Sequence, residues 1–355
     1  MVICAGSGGV GKTTIAAALG VRAAGLGLRT LVLTVDPAKR LATALGLDLE
    51  QQQAATTPVA VPLSFGTLSA AVINSRLIFD QFIREHGGGS EAVARVMRNR
   101  LYQQLSTTLA GSQEFTALEH LLQARESGQY DLIVLDTPPT KHAVDFLTAP
   151  QRISSLFQDA VTRWFMNPSE RQGGLIANLV SRGTRAAIKS LESLTGAQFI
   201  EELFDFFAGI RSVQNVLRSR SEKALQLLQS ETTNFLVVTS FDNAKLIEAK
   251  YLQNELRRLD YRLRAVVINR AFPLGIPTGV SSPPENVDHL VYEKVLAFYQ
   301  KFNAYYAYRY SLYQEFSHGL GKDVKTVRIP EYQRDIYGLA DLEALAGVLG
   351  EGGMA

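Results

Sequence analysis

A single cysteine, Cys4, stands in a chain of 355 residues, so neither an internal disulfide nor a metal site built on several thiolates can form within one chain. That suits a reducing cytoplasm, and Cys4 reads as a small strand hydrophobe. Long apolar runs are missing as well. No stretch of about 18 uncharged apolar residues occurs, which leaves no candidate transmembrane segment. The first residues show no basic segment followed by an apolar stretch and a cleavage site, and a soluble, cytoplasmic protein is expected. Charge of one sign is lacking: 36 Lys and Arg against 34 Asp and Glu leave +2, so nothing pulls the whole molecule toward nucleic acid or anionic membranes. No nucleic-acid partner is expected. With only four methionines, the Met-rich adaptable surface of a promiscuous hydrophobic-client groove is also absent.

What is present is apolar, at 46% of residues, and arranged in short runs separated by long helical patterns. The runs Val2–Ala5, Thr30–Val35, Leu132–Leu135, Phe235–Thr239, Ala265–Ile268 and Val324–Ile329 are nearly continuous rather than alternating, as strands covered on both faces are. The expected fold is α/β, a doubly wound, mainly parallel sheet wrapped by helices. Residues 1–355 are read as one domain, with 69–129 and 150–230 as a helical elaboration that carries no convincing strand and packs on the core. Within it, Thr195-Gly196-Ala197-Gln198 has the form of a capping box before Phe199, Leu203, Phe207, Ile210, Val213 and Leu217 at helical spacing. Gly87-Gly88-Gly89-Ser90 and the stretch from Pro273 to Pro284 are loop or hinge candidates.

Gly6-Ser7-Gly8-Gly9-Val10-Gly11-Lys12-Thr13 satisfies G-x-x-x-x-G-K-[ST], directly after a strand and directly before a helical run that begins at Thr14. The glycines let successive N–H groups turn inward around a phosphate, and the helix presents its positive end to the same anion. Gly8, Gly9, Val10, Gly11, Lys12, Thr13 and Thr14 are therefore the candidate nucleotide-binding residues, with Lys12 reaching the β- and γ-phosphates of ATP and Thr13 ligating Mg²⁺.

Two carboxylates follow at strand ends. Asp36, in Val35-Asp36-Pro37-Ala38, lies where ligands bind in such sheets and is a candidate catalytic residue beside Lys12, orienting or deprotonating water; capping a helix that starts at Pro37 is its other reading. Asp136 closes the apolar run Leu132-Ile133-Val134-Leu135, the form of a segment that holds Mg²⁺, commonly through water.

Together with Asp36-Pro37-Ala38 and Asp136-Thr137-Pro138-Pro139-Thr140-Lys141-His142, the phosphate loop resembles the ArsA-type ATPase family, which includes the arsenite-pump ATPase and the guided-entry ATPase for tail-anchored proteins. The resemblance implies a P-loop NTPase fold of the deviant Walker A class, ATP and Mg²⁺, and a homodimer coupled to a hydrophobic client or membrane-protein partner. It also implies a switch I containing Asp36 and a switch II running from Asp136 to His142. Asn269 would contact adenine, with Pro330 in a second adenine-side loop; from its residues alone, Asn269 serves equally as a turn former.

Ser7 departs from that pattern, occupying the place of a signature lysine that reaches the partner's nucleotide, which implies slow hydrolysis or another cation. Lys39, Arg40 and Lys141 are hypothetical substitutes, solvated charge being the alternative. Cys4 alone cannot rebuild the arsenite pump's cysteine site or the targeting ATPase's C-x-x-C zinc clasp.

Ile153, Leu156, Phe157, Val161, Trp164 and Phe165 form one helical face that either packs internally or binds a hydrophobic segment. From His289 to Phe316 the aromatics are dense, and a long amphipathic helix under the core is expected there. The function expected is that of a Mg²⁺-dependent switch ATPase; the alternatives are an ATP-binding scaffold that barely hydrolyses and, behind it, a P-loop kinase.

Overall fold

The structure is a computed structural model and describes residues 1–35, 40–47, 59–61, 63, 66–87, 89–100, 102–103, 110–156, 193, 196, 198–199, 202, 206, 213–271 and 288–350. The first half contains β1 (Val2–Gly6), α1 (Lys12–Gly25), β2 (Arg29–Thr34), α2 (Arg40–Leu45), β3 (Val59–Val61), β4 (Thr67–Val72), α3 (Ser75–His86), α4 (Ser90–Arg98) and α5 (Ala110–Glu126). There follow β5 (Leu132–Asp136), α6 (Thr140–Leu156), α7 (Gln214–Gln229), β6 (Asn234–Ser240), α8 (Asn243–Arg258), β7 (Leu263–Ala271), α9 (His289–His318), β8 (Lys325–Pro330) and α10 (Gly338–Gly350). The strands form one sheet in the order β3-β4-β2-β5-β1-β6-β7-β8, and every neighbouring pair is parallel except β3 with β4. It is a doubly wound α/β fold.

Alternation along the central strands divides their side chains between two cores. Ile3, Ala5, Leu31 and Leu33 point to the face covered by α5, α6, α7 and α8, while Cys4 and Val32 point to the face covered by α1, α2 and α10. All six are fully buried, which explains why these strands read as unbroken apolar runs. The Ile, Leu and Val side chains among them each contribute roughly 1.5–3 kcal/mol on burial.

A third cluster joins Phe82 and Ile83 of α3, Val96 of α4, Phe115 of α5 and Leu217 of α7. Arg220 of α7 reaches back to Glu119 of α5 with two bonds of 2.8 Å, so the helical region is tied to the sheet-packing helices by apolar and charged contacts together. Phe199, Val213 and Leu217, three members of the expected helical stripe, lie in or against this cluster. Leu203, Phe207 and Ile210, the capping-box residues Thr195 and Ala197, and the face from Ile153 to Phe165 have side chains outside the described residues.

Two expectations need correction. The segment 69–129 is not free of strand: β4 runs to Val72 and pairs with β2 across its whole length, and β3 adds an antiparallel edge. β4 reads Thr-Leu-Ser-Ala-Ala-Val, and its alanines and serine mimic helix because sheet pairing, not β-branched packing, places them. The aromatic segment does form one long helix, α9, but it does not lie under the core: Phe316 is its sole buried residue. No described helix is long and apolar enough to cross a membrane.

Candidate functional site

The carboxyl ends of β1, β5, β7 and β8 open into one cleft of about 820 Å³, whose wall includes Gly8, Lys12, Thr13, Asp136, Asn269 and Pro330. Segments separated by more than three hundred positions thus meet where ligands bind in parallel sheets.

The phosphate loop owes its shape to two backbone requirements. Gly11, at φ 89°, is the cap of α1, a left-handed geometry that a Cβ would strain. The same missing Cβ leaves room for the Asn269 amide, whose Nδ2 donates to the Val10 carbonyl at 2.8 Å. No side chain caps α1, and its first turn holds no acid, so its orphan N–H groups and positive end face the cleft. Lys12 is buried and its ammonium donates to the Ser7 carbonyl at 2.9 Å, which bends the side chain back across the loop.

Thr13 and Asp136 meet across the loop mouth: Thr13 Oγ1 donates to Asp136 Oδ2 at 2.6 Å, and Thr34 Oγ1 donates to the same oxygen at 3.0 Å. Thr137 next to it donates to the Cys4 carbonyl at 2.9 Å through its hydroxyl, anchoring the turn after β5 to β1. Burial, reinforced by the Asp136 charge, pushes the Cys4 thiol far above its usual range, so Cys4 stays a neutral strand residue under the loop.

The donor set suits a small hard cation. A hydroxyl and a carboxylate at a phosphate-binding loop are what Mg²⁺ takes from a protein that leaves its other positions to phosphate and water. Among the described residues no group of three or more His, Cys, Asp or Glu gathers into an all-protein cage.

Of the sequence-expected residues, Gly8, Gly9, Gly11, Lys12, Thr13, Thr14, Asp136, Asn269 and Pro330 all line this cleft. Val10 is buried behind it, contributing its carbonyl to Asn269. Ser7 is likewise buried, at 1% exposure, and its hydroxyl has no hydrogen-bond partner. Asp36 and Lys39 lie outside the described residues, and of Lys141 and His142 only the backbone, in the first turn of α6, is described. Arg40 is on the cleft wall, at the start of α2.

Sequence reasoning missed Thr34, Arg270, Tyr332 and Arg334. Thr34 is the one polar residue at the end of the run Leu31-Val32-Leu33, a signal that was readable. Arg270 follows Asn269 at φ 53°, a left-handed conformation with no sequence mark in an arginine. Tyr332 and Arg334 reach the wall on the loop after Pro330, with Arg334 held by Asp341 of α10 at 2.8 Å.

Residues 1–351 match the family model described as anion-transporting ATPase. The chain is similar to a protein of Aspergillus niger named ATPase get3, 25% identical over 76% of this chain and 72% of that one. It is similar to the ATPase GET3 of Malassezia globosa at 24% identity over 76% and 72%. A putative arsenical pump-driving ATPase 1 of Aquifex aeolicus is 22% identical over 98% of this chain and 78% of its own length. With the loop, the Thr13–Asp136 pair and the Asn269 brace in one cleft, and the match spanning nearly the whole chain, this protein is a member of the anion-transporting ATPase family and an ATPase.

Proposed function

We propose that the cleft hydrolyses Mg-ATP and that the nucleotide's state changes the conformation of the segments around Asp36 and Asp136, controlling a homodimer and a hydrophobic or membrane-protein partner. The observation that carries this reading is the 2.6 Å contact between Thr13 and Asp136 at the mouth of the phosphate loop. It joins the phosphate-binding element to the strand whose end begins the turn Thr137-Pro138-Pro139, so a change at one is felt at the other.

Lys12 holds and neutralises phosphate oxygens, releasing the Ser7 carbonyl as it does so. The α1 amides orient the polyphosphate. Thr13 and Asp136 would hold Mg²⁺, which when bound supplies charge neutralisation on the phosphate chain. Thr34 fixes the Asp136 carboxylate so that it faces Thr13. Asp36, at the end of the second strand's segment, positions the attacking water for in-line displacement. Asn269 and Pro330 bracket the adenine side, Asn269 by an amide that both braces the loop and borders the cleft. The name of the relative from Aquifex, a putative arsenical pump-driving ATPase, supports the partner half of the reading, an ATPase that works on another component.

Steady-state phosphate release with Mg-ATP, beside nucleotide affinity, tests the assignment in wild type, Lys12→Ala and Asp36→Asn. The expected result is turnover lost in both variants, with affinity kept in Asp36→Asn. Undiminished turnover in Asp36→Asn would remove that residue from the chemistry.

A further inference from the structure

A Mg-bound triphosphate is still an anion, and the Asp136 carboxylate at the loop mouth adds negative charge beside it, with Lys12 set against both. Position 7 of the loop brings no cation: Ser7 is 1% exposed and is not on the cleft wall. The wall does carry arginines, and among its described residues they are Arg40, Arg270 and Arg334. Arg334 is held by Asp341 of α10 at 2.8 Å, and Arg270 follows Asn269 at the end of β7. Arg40 comes from α2, the helix that follows the Asp36 segment.

The packing of α2 turns Arg40 toward the ligand. Leu41, Ala44 and Leu45 share one buried cluster with Ile15 of α1 and Leu345 of α10, so α2 is seated on those two helices. Arg40, Thr43 and Ala44 stand at i, i+3 and i+4, one stripe of the helix, and all three line the cleft together with Thr13, Thr14 and Ile15 from the first turn of α1. Helix side chains lean toward the start of their own helix, and α2 starts shortly after the carboxyl end of β2, on the edge where the phosphate loop opens. Arg40 is exposed, as a residue on an open cleft wall is. Its planar fork of donors matches the oxygens of a phosphate chain in two places at once, which the point charge of Lys12 does not. Glu331 and Asp335, on the loop after β8, are acids of the same wall that Arg40 would otherwise serve.

We propose that Arg40 is a phosphate-binding residue of this cleft, its guanidinium gripping the phosphate chain of ATP within the same chain, beside Lys12. The proposal rests on the Mg-ATP reading above and adds to it a cation on α2. It also gives the nucleotide a hold on the segment Asp36-Pro37-Ala38-Lys39, which leads directly into Arg40. Phosphate that fixes Arg40 fixes the end of that segment, and phosphate that leaves releases it.

Calorimetric titration of the full chain with Mg-ATP, and separately with inorganic tripolyphosphate and Mg²⁺, tests this in wild type, Arg40→Ala and Arg40→Lys, with thermal unfolding and phosphate release from ATP measured on the same samples. Tripolyphosphate has neither sugar nor base, so its binding reads contact with phosphate alone. The expected result is an affinity for both ligands lowered about tenfold or more by Arg40→Ala and restored in part by Arg40→Lys, with unfolding unchanged. Unchanged affinity for both ligands in Arg40→Ala overturns the proposal and leaves Arg40 a solvated charge. A loss confined to ATP also overturns it, placing Arg40 on the sugar or base. So does a loss that comes with a lower unfolding midpoint and is not relieved by Arg40→Lys, the mark of an ion pair with Glu331 or Asp335. Binding that depends on Arg40 in a wild type without turnover would strike hydrolysis from the proposed function and leave the role of Arg40 standing; turnover with binding indifferent to Arg40 would do the reverse.

Discussion

The β1–α1 region and the part of α9 before Arg309 are opposite cases of how a sequence is used. In the first, Ile3, Cys4, Ala5, Ile15, Ala16, Ala17 and Ala18 are all fully buried, and the loop between strand and helix lines the cleft. In the second, about the same length of chain buries nothing, yet it is as rich in aromatics as any stretch of the protein. Residue identity thus answers to different surroundings. Around the loop, the flanking side chains are chosen by the protein's own core; in α9 before Arg309, Val295, Phe298 and Phe302 are apolar with no core to fill.

That contrast can be broken most forcefully in stability. Phe235, fully buried and stacked on Tyr261 at 5.0 Å, is expected to cost about 3–5 kcal/mol when replaced by alanine, read from denaturant midpoints. Phe298→Ala, of the same chemistry on the exposed part of α9, is expected to stay within about 0.5 kcal/mol. Comparable losses at both sites would show that this part of α9 packs as a core element.

Next in size is the loop's chemistry. Lys12→Ala is expected to lower kcat by roughly 10²–10³-fold, in line with the loss of a positioned charge donor, as measured by phosphate release. Asn269→Ala removes the brace on the Val10 carbonyl, and a loss of about tenfold in nucleotide affinity is expected by titration calorimetry, the worth of one hydrogen bond.

The smallest effect concerns pH. Burial pushes the His120 pKa below its ordinary 6.5, so the unfolded chain binds more protons than the folded one between the folded value and 6.5. Its contribution to stability is full above about 6.5 and is lost as pH falls through that window. Thermal midpoints should therefore drop on acidification through that window, and His120→Gln should flatten part of the drop.

Five of the six strands that were readable, β1, β2, β5, β6 and β7, sit in the sheet's interior with apolar residues on both faces; the sixth, β8, is an edge strand still marked by Val324, Val327 and Ile329. β4 was not, since Ser69, Ala70 and Ala71 carry no strand preference and are held by pairing with β2. β3, three residues long, is too short to show a period. In the site, Lys12, Thr13 and Asp136 were legible because motif and strand end coincide locally. Arg270, Tyr332 and Arg334 were not, because they are gathered only by the crossing of β7 and β8 to the far side of β1. The α9 helix could be read, but its exposure could not, since an aromatic stripe looks the same whether a core or a second molecule covers it.

The proposed Mg-ATP site stands on Thr13 and Asp136 holding the metal at the loop mouth. Calorimetric titration of ATP into wild type and Asp136→Asn, each with Mg²⁺ and with chelator, decides this. The expected result is tight binding that needs Mg²⁺ in wild type and a variant whose weaker binding no longer responds to the metal. Equal affinity with and without Mg²⁺ in wild type, or a metal response kept intact in Asp136→Asn, would contradict it.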